Sequence, residues 1–155
     1  MTTTITGATG IDNIQAATGA VLQVVNASYS VETASTSSTF AATGLTATIT
    51  PSSTSSKILV AVSQGGVYKD TNAAFGVGIK LISTGSLSVV LSVRAAGDVS
   101  GIQSVGNVSG SVLDSPNTTS AVTYSTVFNS TSNTNNAYVQ VYTATSTITL
   151  MEIAG

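Results

Sequence analysis

Histidine, cysteine and tryptophan are absent from this chain of 155 residues, and only 6% of its residues are charged. Each absence excludes chemistry. Without histidine there is no ordinary general base near neutral pH and no Ser-His-Asp triad, and the commonest neutral metal ligand is missing. Without cysteine there is no disulfide, thiolate nucleophile or thiolate metal site. With both gone, zinc chemistry is excluded, and no cofactor is expected. The four cations, Lys57, Lys69, Lys80 and Arg94, are scattered along the chain. They cannot form the clustered patch that a phosphate backbone or an anionic lipid surface requires, so neither nucleic acid nor a membrane is expected as a partner. The longest apolar run, Ile58-Leu59-Val60-Ala61-Val62, is far too short to span a bilayer. Met1-Thr2-Thr3-Thr4-Ile5 has neither the basic region nor the apolar region of a secretory leader, so synthesis in a cytoplasm is expected.

The remaining routes to catalysis are thin. Serine is plentiful but lacks a base. The position three before Lys57 is Thr54, so no S-x-x-K motif forms there, and no G-x-S-x-G elbow occurs. The acids Asp12, Glu32, Asp70, Asp98, Asp114 and Glu152 are far apart in sequence, so nothing local marks a catalytic carboxylate pair. Lys69-Asp70-Thr71-Asn72 lacks the spacing of a calcium loop, and Asp70 and Asn72 read as turn residues. The Asn-X-Ser/Thr triplets at Asn26, Asn107, Asn117 and Asn129 are expected by chance in a chain so rich in hydroxyls, and without a leader none reads as glycosylated. Tyr68, Tyr124, Tyr138 and Tyr142 have two readings: a sugar-stacking surface, or a core edge or subunit interface.

What the chain does have is hydroxyl and β-branched residues. Roughly a third of it is Ser or Thr, while 42% is hydrophobic, enough for one domain with one core. Period-2 alternation predicts strands from Gly19 onward. Val21 to Val31 reads as the first. Leu45, Ala47 and Ile49 alternate with Thr46, Thr48 and Thr50, and Pro51 ends that strand before a turn at 52–56. Lys57 to Ser63 reads as a central strand covered on both faces, followed by a turn or bulge at Gly65-Gly66. Phe75, Val77, Ile79 and Leu81 on one run, and Leu87, Val89, Leu91 and Val93 on the next, predict a β-hairpin across Ser83-Thr84-Gly85. Residues 95–109 read as a long loop. Further strands are expected at Ser111 to Asp114, Ala121 to Phe128, Ala137 to Thr143 and Thr147 to Ile153, with the polar tract Asn129 to Asn136 joining two of them. The fold class is therefore all-β: a single antiparallel β-sandwich, jelly-roll-like, over residues 19–155. Residues 1–18, punctuated by Gly7 and Gly10, lack the alternation and have two readings: an extended arm or anchor, or a frayed terminus. Ile5, Ile11 and Ile14 would be the arm's apolar anchors for docking to a particle.

Three strings resemble a recurrent β-rich domain of bacteriophage virion structural proteins, found in small virion proteins and at tail-fibre tips of aquatic phages. They are Gly44-Leu45-Thr46-Ala47-Thr48-Ile49-Thr50-Pro51-Ser52-Ser53-Thr54-Ser55-Ser56-Lys57-Ile58-Leu59-Val60; Leu113-Asp114-Ser115-Pro116 with Thr119-Ser120-Ala121-Val122-Thr123-Tyr124; and Ser146-Thr147-Ile148-Thr149-Leu150-Met151-Glu152-Ile153-Ala154-Gly155. Val21-Leu22-Gln23-Val24-Val25 is a looser match. The chain departs from the family in the middle. Ser83-Thr84-Gly85 and Ala95-Ala96-Gly97-Asp98 stand where an Arg-Gly pair and a basic segment are usual, which puts any ligand contact by basic residues there in doubt. The resemblance implies a particle protein, a homotrimer, and no catalytic residues. Two functions follow as expectations. One is a capsid decoration or cement protein, or a short head fibre, bound to other virion proteins. The other is a tail-fibre tip that binds a host-surface glycan.

Overall fold

The computed structural model describes residues 16–69, 75–95 and 105–155. Among them stand ten strands: β1 (Val21–Tyr29), β2 (Thr33–Ser35), β3 (Ala41–Ile49), β4 (Lys57–Lys69), β5 (Val77–Ser83), β6 (Ser88–Ala95), β7 (Val105–Asp114), β8 (Val122–Ser130), β9 (Ala137–Val139) and β10 (Ser146–Ile153). A short 3-10 turn, Val141–Thr143, separates β9 from β10. In one sheet β1, β10, β4 and β7 lie side by side, and β9 and β2 extend it beyond the far end of β4. The other sheet has the order β3-β8-β5-β6, and all pairings are antiparallel. The first long strand thus lies beside the last, and the chain changes sheet at most connections. This is the double Greek key of a jelly roll, one of the antiparallel sandwiches that the alternation allows. The two ends of the described sandwich meet: Gly19 N–H donates to Ala154 O, and Ala154 N–H donates to Ala20 O, both at 2.8 Å.

The core is layered. Near the chain ends, Leu45, Ile49, Ile58, Val60, Leu81, Val122, Ile148 and Leu150 form one apolar cluster around Tyr124. Toward the other pole, Val67, Val77, Ile79, Phe128, Ala137 and Val139 form a second. Between the two lies a fully buried polar layer of Thr43, Thr126, Gln64, Ser146 and Gln140. Thr43 and Thr126 share a hydroxyl–hydroxyl bond of 2.6 Å, and Thr126 donates to Gln64 Oε1 at 2.8 Å. Gln64 Nε2, Gln140 Nε2 and Gly65 N–H all donate to Ser146 Oγ at 2.9–3.0 Å. A buried polar group left alone is costly, so these residues hold one another and cross-link the two sheets.

Several strand boundaries differ from the sequence expectation. Lys57 to Ser63 is central, but its outward side chains are only half covered, because the sandwich covers one face of each sheet. β4 also runs on to Lys69, so Gly65-Gly66 is a bulge within it: the β4–β7 register shifts between Gln64 and Val67. Gly66 takes φ +58, and a Cβ there would meet Val141 N at 2.7 Å. Of the expected loop at 95–109, residues 105–109 belong to β7, where Val108 alone is buried. The strand expected at Ala137 to Thr143 stops at Val139 and turns left-handed. Val93 is 70% exposed, because two register shifts in the β5–β6 hairpin turn its end outward. Leu91 is half-buried and packs at the margin of the core.

Ile58→Ala is expected to cost about 2–4 kcal/mol, the range for truncating a buried aliphatic side chain, and Leu91→Ala clearly less. Ser146→Ala removes few atoms but strands three donors. It is expected to cost about 3 kcal/mol or more, at the usual penalty of a buried unsatisfied group. Urea denaturation measures all three; a Ser146→Ala loss below that of Leu91→Ala would contradict the role given to the polar layer.

Candidate functional site

Ile5, Ile11 and Ile14, with residues 1–15 of the arm, lie outside the described residues, as do Asp12, Asp70, Asn72 and Asp98. Among the described residues no three acids gather as a metal site, and no helix is long and apolar enough to cross a membrane. The sequence candidates that the fold does bring together are tyrosines. Tyr68, at the end of β4, sits opposite Tyr138 of β9 in the ladder, with ring centroids 5.7 Å apart and planes tilted by 43°. Tyr142 closes on Tyr68 at 6.4 Å and 51°. With Glu32 and Val141 they line an open groove of about 230 Å³. Tyr124, grouped with them from sequence, is instead buried in the core.

The groove is shaped by an unusual corner. Gln140, Tyr142 and Thr143 all have left-handed backbone, with φ of 57°, 56° and 60°. Such conformations cost non-glycine residues on the order of 1–3 kcal/mol each and persist only where the surroundings impose them. Here the β4 bulge imposes them. Gln140 N–H donates to Gly65 O at 3.0 Å, Ala144 N–H to Val141 O at 3.1 Å, and the Gln140 side chain is anchored on Ser146. The result holds a tyrosine outward: Tyr142 is 77% exposed. Sequence reasoning missed Glu32 and the corner, since no glycine or Asn-Gly pair marks positions 140–143.

At the opposite pole the familiar strings meet. Gln23, Glu152, Ile58 and Asp114 stand in one row across β1, β10, β4 and β7. Ser52, from the loop after Pro51, donates its N–H and hydroxyl to Glu152 Oε1 at 2.7 and 2.6 Å, and Gln23 Nε2 donates to Oε2 at 2.6 Å. Asp114 accepts from Ser115 N–H at 2.9 Å and from the Tyr124 hydroxyl at 2.7 Å. Burial, with the Asp114 bond and charge, pushes the Tyr124 hydroxyl far above its usual range. For Glu152, burial alone would raise the pKa. Hydrogen bonds from Ser52 and Gln23 outweigh it and lower the pKa to about 2. These carboxylates are engaged in holding strands and loops together, so the tyrosine groove is the stronger candidate for a ligand.

Fold and groove together define a jelly-roll sandwich with one aromatic surface site. No protein-family model and no curated protein matches the chain. Among solved structures it is similar to the infectious bursal disease virus VP2 subviral particle, at 10% identity and a TM-score of 0.43, over 86% of this chain and 33% of that one. It is also similar to the Gx strain of the same virus, at 10% identity and a TM-score of 0.46, over 97% of this chain and 37% of that one. The chain therefore spans about a third of the length of each.

The Glu152 pKa of about 2 lies below its ordinary value of 4.5. A carboxyl depressed on folding adds stability above its unfolded pKa, and that stability is lost as pH falls through the folded one. The melting temperature should therefore drop between pH 4.5 and 2, while staying nearly flat from about pH 5.5 to 8, where no histidine titrates. Glu152→Gln should be less stable at neutral pH and show a shallower acid limb. An unchanged limb in thermal melts would show that other groups carry it.

Proposed function

We propose that this chain is a non-enzymatic structural protein of a bacteriophage virion: a capsid decoration or cement protein, or a short head fibre, made in the host cytoplasm and exposed on the particle. The observation that carries the reading is the outer face of the β1-β10-β4-β7 sheet. Val24, Met151, Leu59 and Leu113 form an unbroken apolar row across its four strands. Val24 is 57% exposed and Leu113 52%. The next two rows, Asn26-Thr149-Ala61-Ser111 and Ser28-Thr147-Ser63-Ser109, carry no charge. A face with an exposed apolar row and uncharged, hydroxyl-bearing rows beside it suits packing against further protein, since charges are depleted where interfaces are buried. The occupant we favour is further copies of this chain, assembled as a homotrimer, in keeping with the family resemblance. The arm, with Ile5, Ile11 and Ile14, would dock the trimer to other virion proteins.

The test is assembly. The wild-type chain should sediment as a trimer at micromolar concentration. Leu113→Glu with Val24→Glu should yield a folded monomer, because both side chains point outward. A wild-type monomer would overturn the trimer. Deleting residues 1–18 should leave a folded trimer that no longer occupies particles; full occupancy would overturn the docking role.

A fibre tip that binds host glycan is the second reading, and the tyrosine groove is the observation that favours it.

A further inference from the structure

We infer that the groove between Tyr68, Tyr138, Tyr142 and Glu32 binds one neutral hexopyranose ring, the terminal or branch unit of a surface saccharide. The inference rests on the glycan-binding reading for its ligand class and goes beyond it in naming the site and the kind of sugar.

The chemistry of the lining selects the ligand. A pyranose has an apolar face of C–H groups and a rim of hydroxyls. Tyrosine rings have the matching property, an apolar body with a polar tip. Two rings tilted by 43° and 51° to that of Tyr68 make with it the walls of a trough rather than a flat stack. The Glu32 carboxylate beside them is an acceptor only when ionised, so it calls for a donor, which sugar hydroxyls supply. Among the described residues no lysine or arginine lines the groove. An acidic sugar would therefore meet a bare carboxylate, and neutral sugars are preferred. The size agrees. About 230 Å³ falls below the roughly 300–1,000 Å³ of sites that enclose drug-sized molecules, so one ring fits and its neighbours extend into solvent.

The backbone supplies a separate argument. Tyr142 is held outward by three left-handed residues, and its exposed ring adds nothing to the core. Strain of this kind gathers where a side chain must be presented in one position. A ring fixed before binding loses little freedom on contact, which favours a small, weakly held ligand.

The experiment titrates the full-length protein with methyl glucopyranosides, galactopyranosides and mannopyranosides, with methyl glucuronide as the acidic probe. Saturation-transfer NMR is the readout. At least one neutral probe should bind saturably, with transfer strongest to the C–H protons of one ring face, and the glucuronide should bind more weakly. Tyr142→Ala should weaken binding about tenfold without moving the melting temperature, because the ring is exposed. Glu32→Gln should narrow the gap between neutral and acidic probes. No saturable binding at tens of millimolar, or binding untouched by both variants, overturns the inference. A glycan array of bacterial surface saccharides separates this failure from that of the wider reading. If array binding persists in Tyr142→Ala, the groove assignment is wrong while glycan binding stands; if the array shows no binding and the monosaccharide probes show none, both fail.

Discussion

The hydrogen-bonded layer through the middle of the sandwich is the constraint on which the other features depend. Four inward positions, on β3, β4, β8 and β10, carry Thr43, Gln64, Thr126 and Ser146 at the same height. Shift any of these strands by one residue and the polar group leaves the interior. Shift one by two and it faces an aliphatic layer while its former partners are stranded. Apolar packing tolerates such slips far better than a matched set of donors and acceptors does. The same layer anchors the corner beyond β9 through Gln140, and that corner places Tyr142. Register in the core and geometry at the surface are thus fixed by the same few groups.

Much of the fold was legible because the alternation is strong. On β3, Leu45, Ala47 and Ile49 are buried and the threonines between them exposed, as their phase predicts. The hairpin of β5 and β6 was equally plain up to Leu91. What escaped notice was where phase and residue type disagree. Thr43 and Thr126 occupy inward positions but look like surface residues. Counting phase from Leu45 back to Thr43, and from Phe128 back to Thr126, would have marked both as buried. The bulges were harder. Gly44, with φ +90, interrupts the β3–β8 register and makes room for the Tyr29 ring from the other sheet, a contact no local pattern announces.

The candidate site was half legible. The sequence groups Tyr68, Tyr138 and Tyr142, and groups Tyr124 with them, because composition cannot show that its hydroxyl finds Asp114. Glu32 was one acid among six; only the β2–β9 pairing brings it beside the rings. The corner itself could not be read, because Gln, Tyr and Thr are poor indicators of left-handed backbone. Its cause lies some seventy residues away, in the bulge at Gly65-Gly66. The three strings that resembled a family are, in the structure, strand edges and loop locks gathered around Glu152 and Asp114. Their side chains hold that pole together by many short bonds.

Because Gly19 and Ala20 pair with Ala154, the chain enters and leaves the sandwich at the pole of Glu152, while the tyrosines occupy the other. Between the two poles runs β4, roughly 30 Å of strand at about 3.3 Å per residue. The domain therefore has a sense of direction like that of a stalked flower. Anything that grips the sandwich at Gly19 or at Ala154 grips it at the pole far from the aromatic groove. Among the described residues, the point of entry and the groove are thus separated by about the length of one long strand.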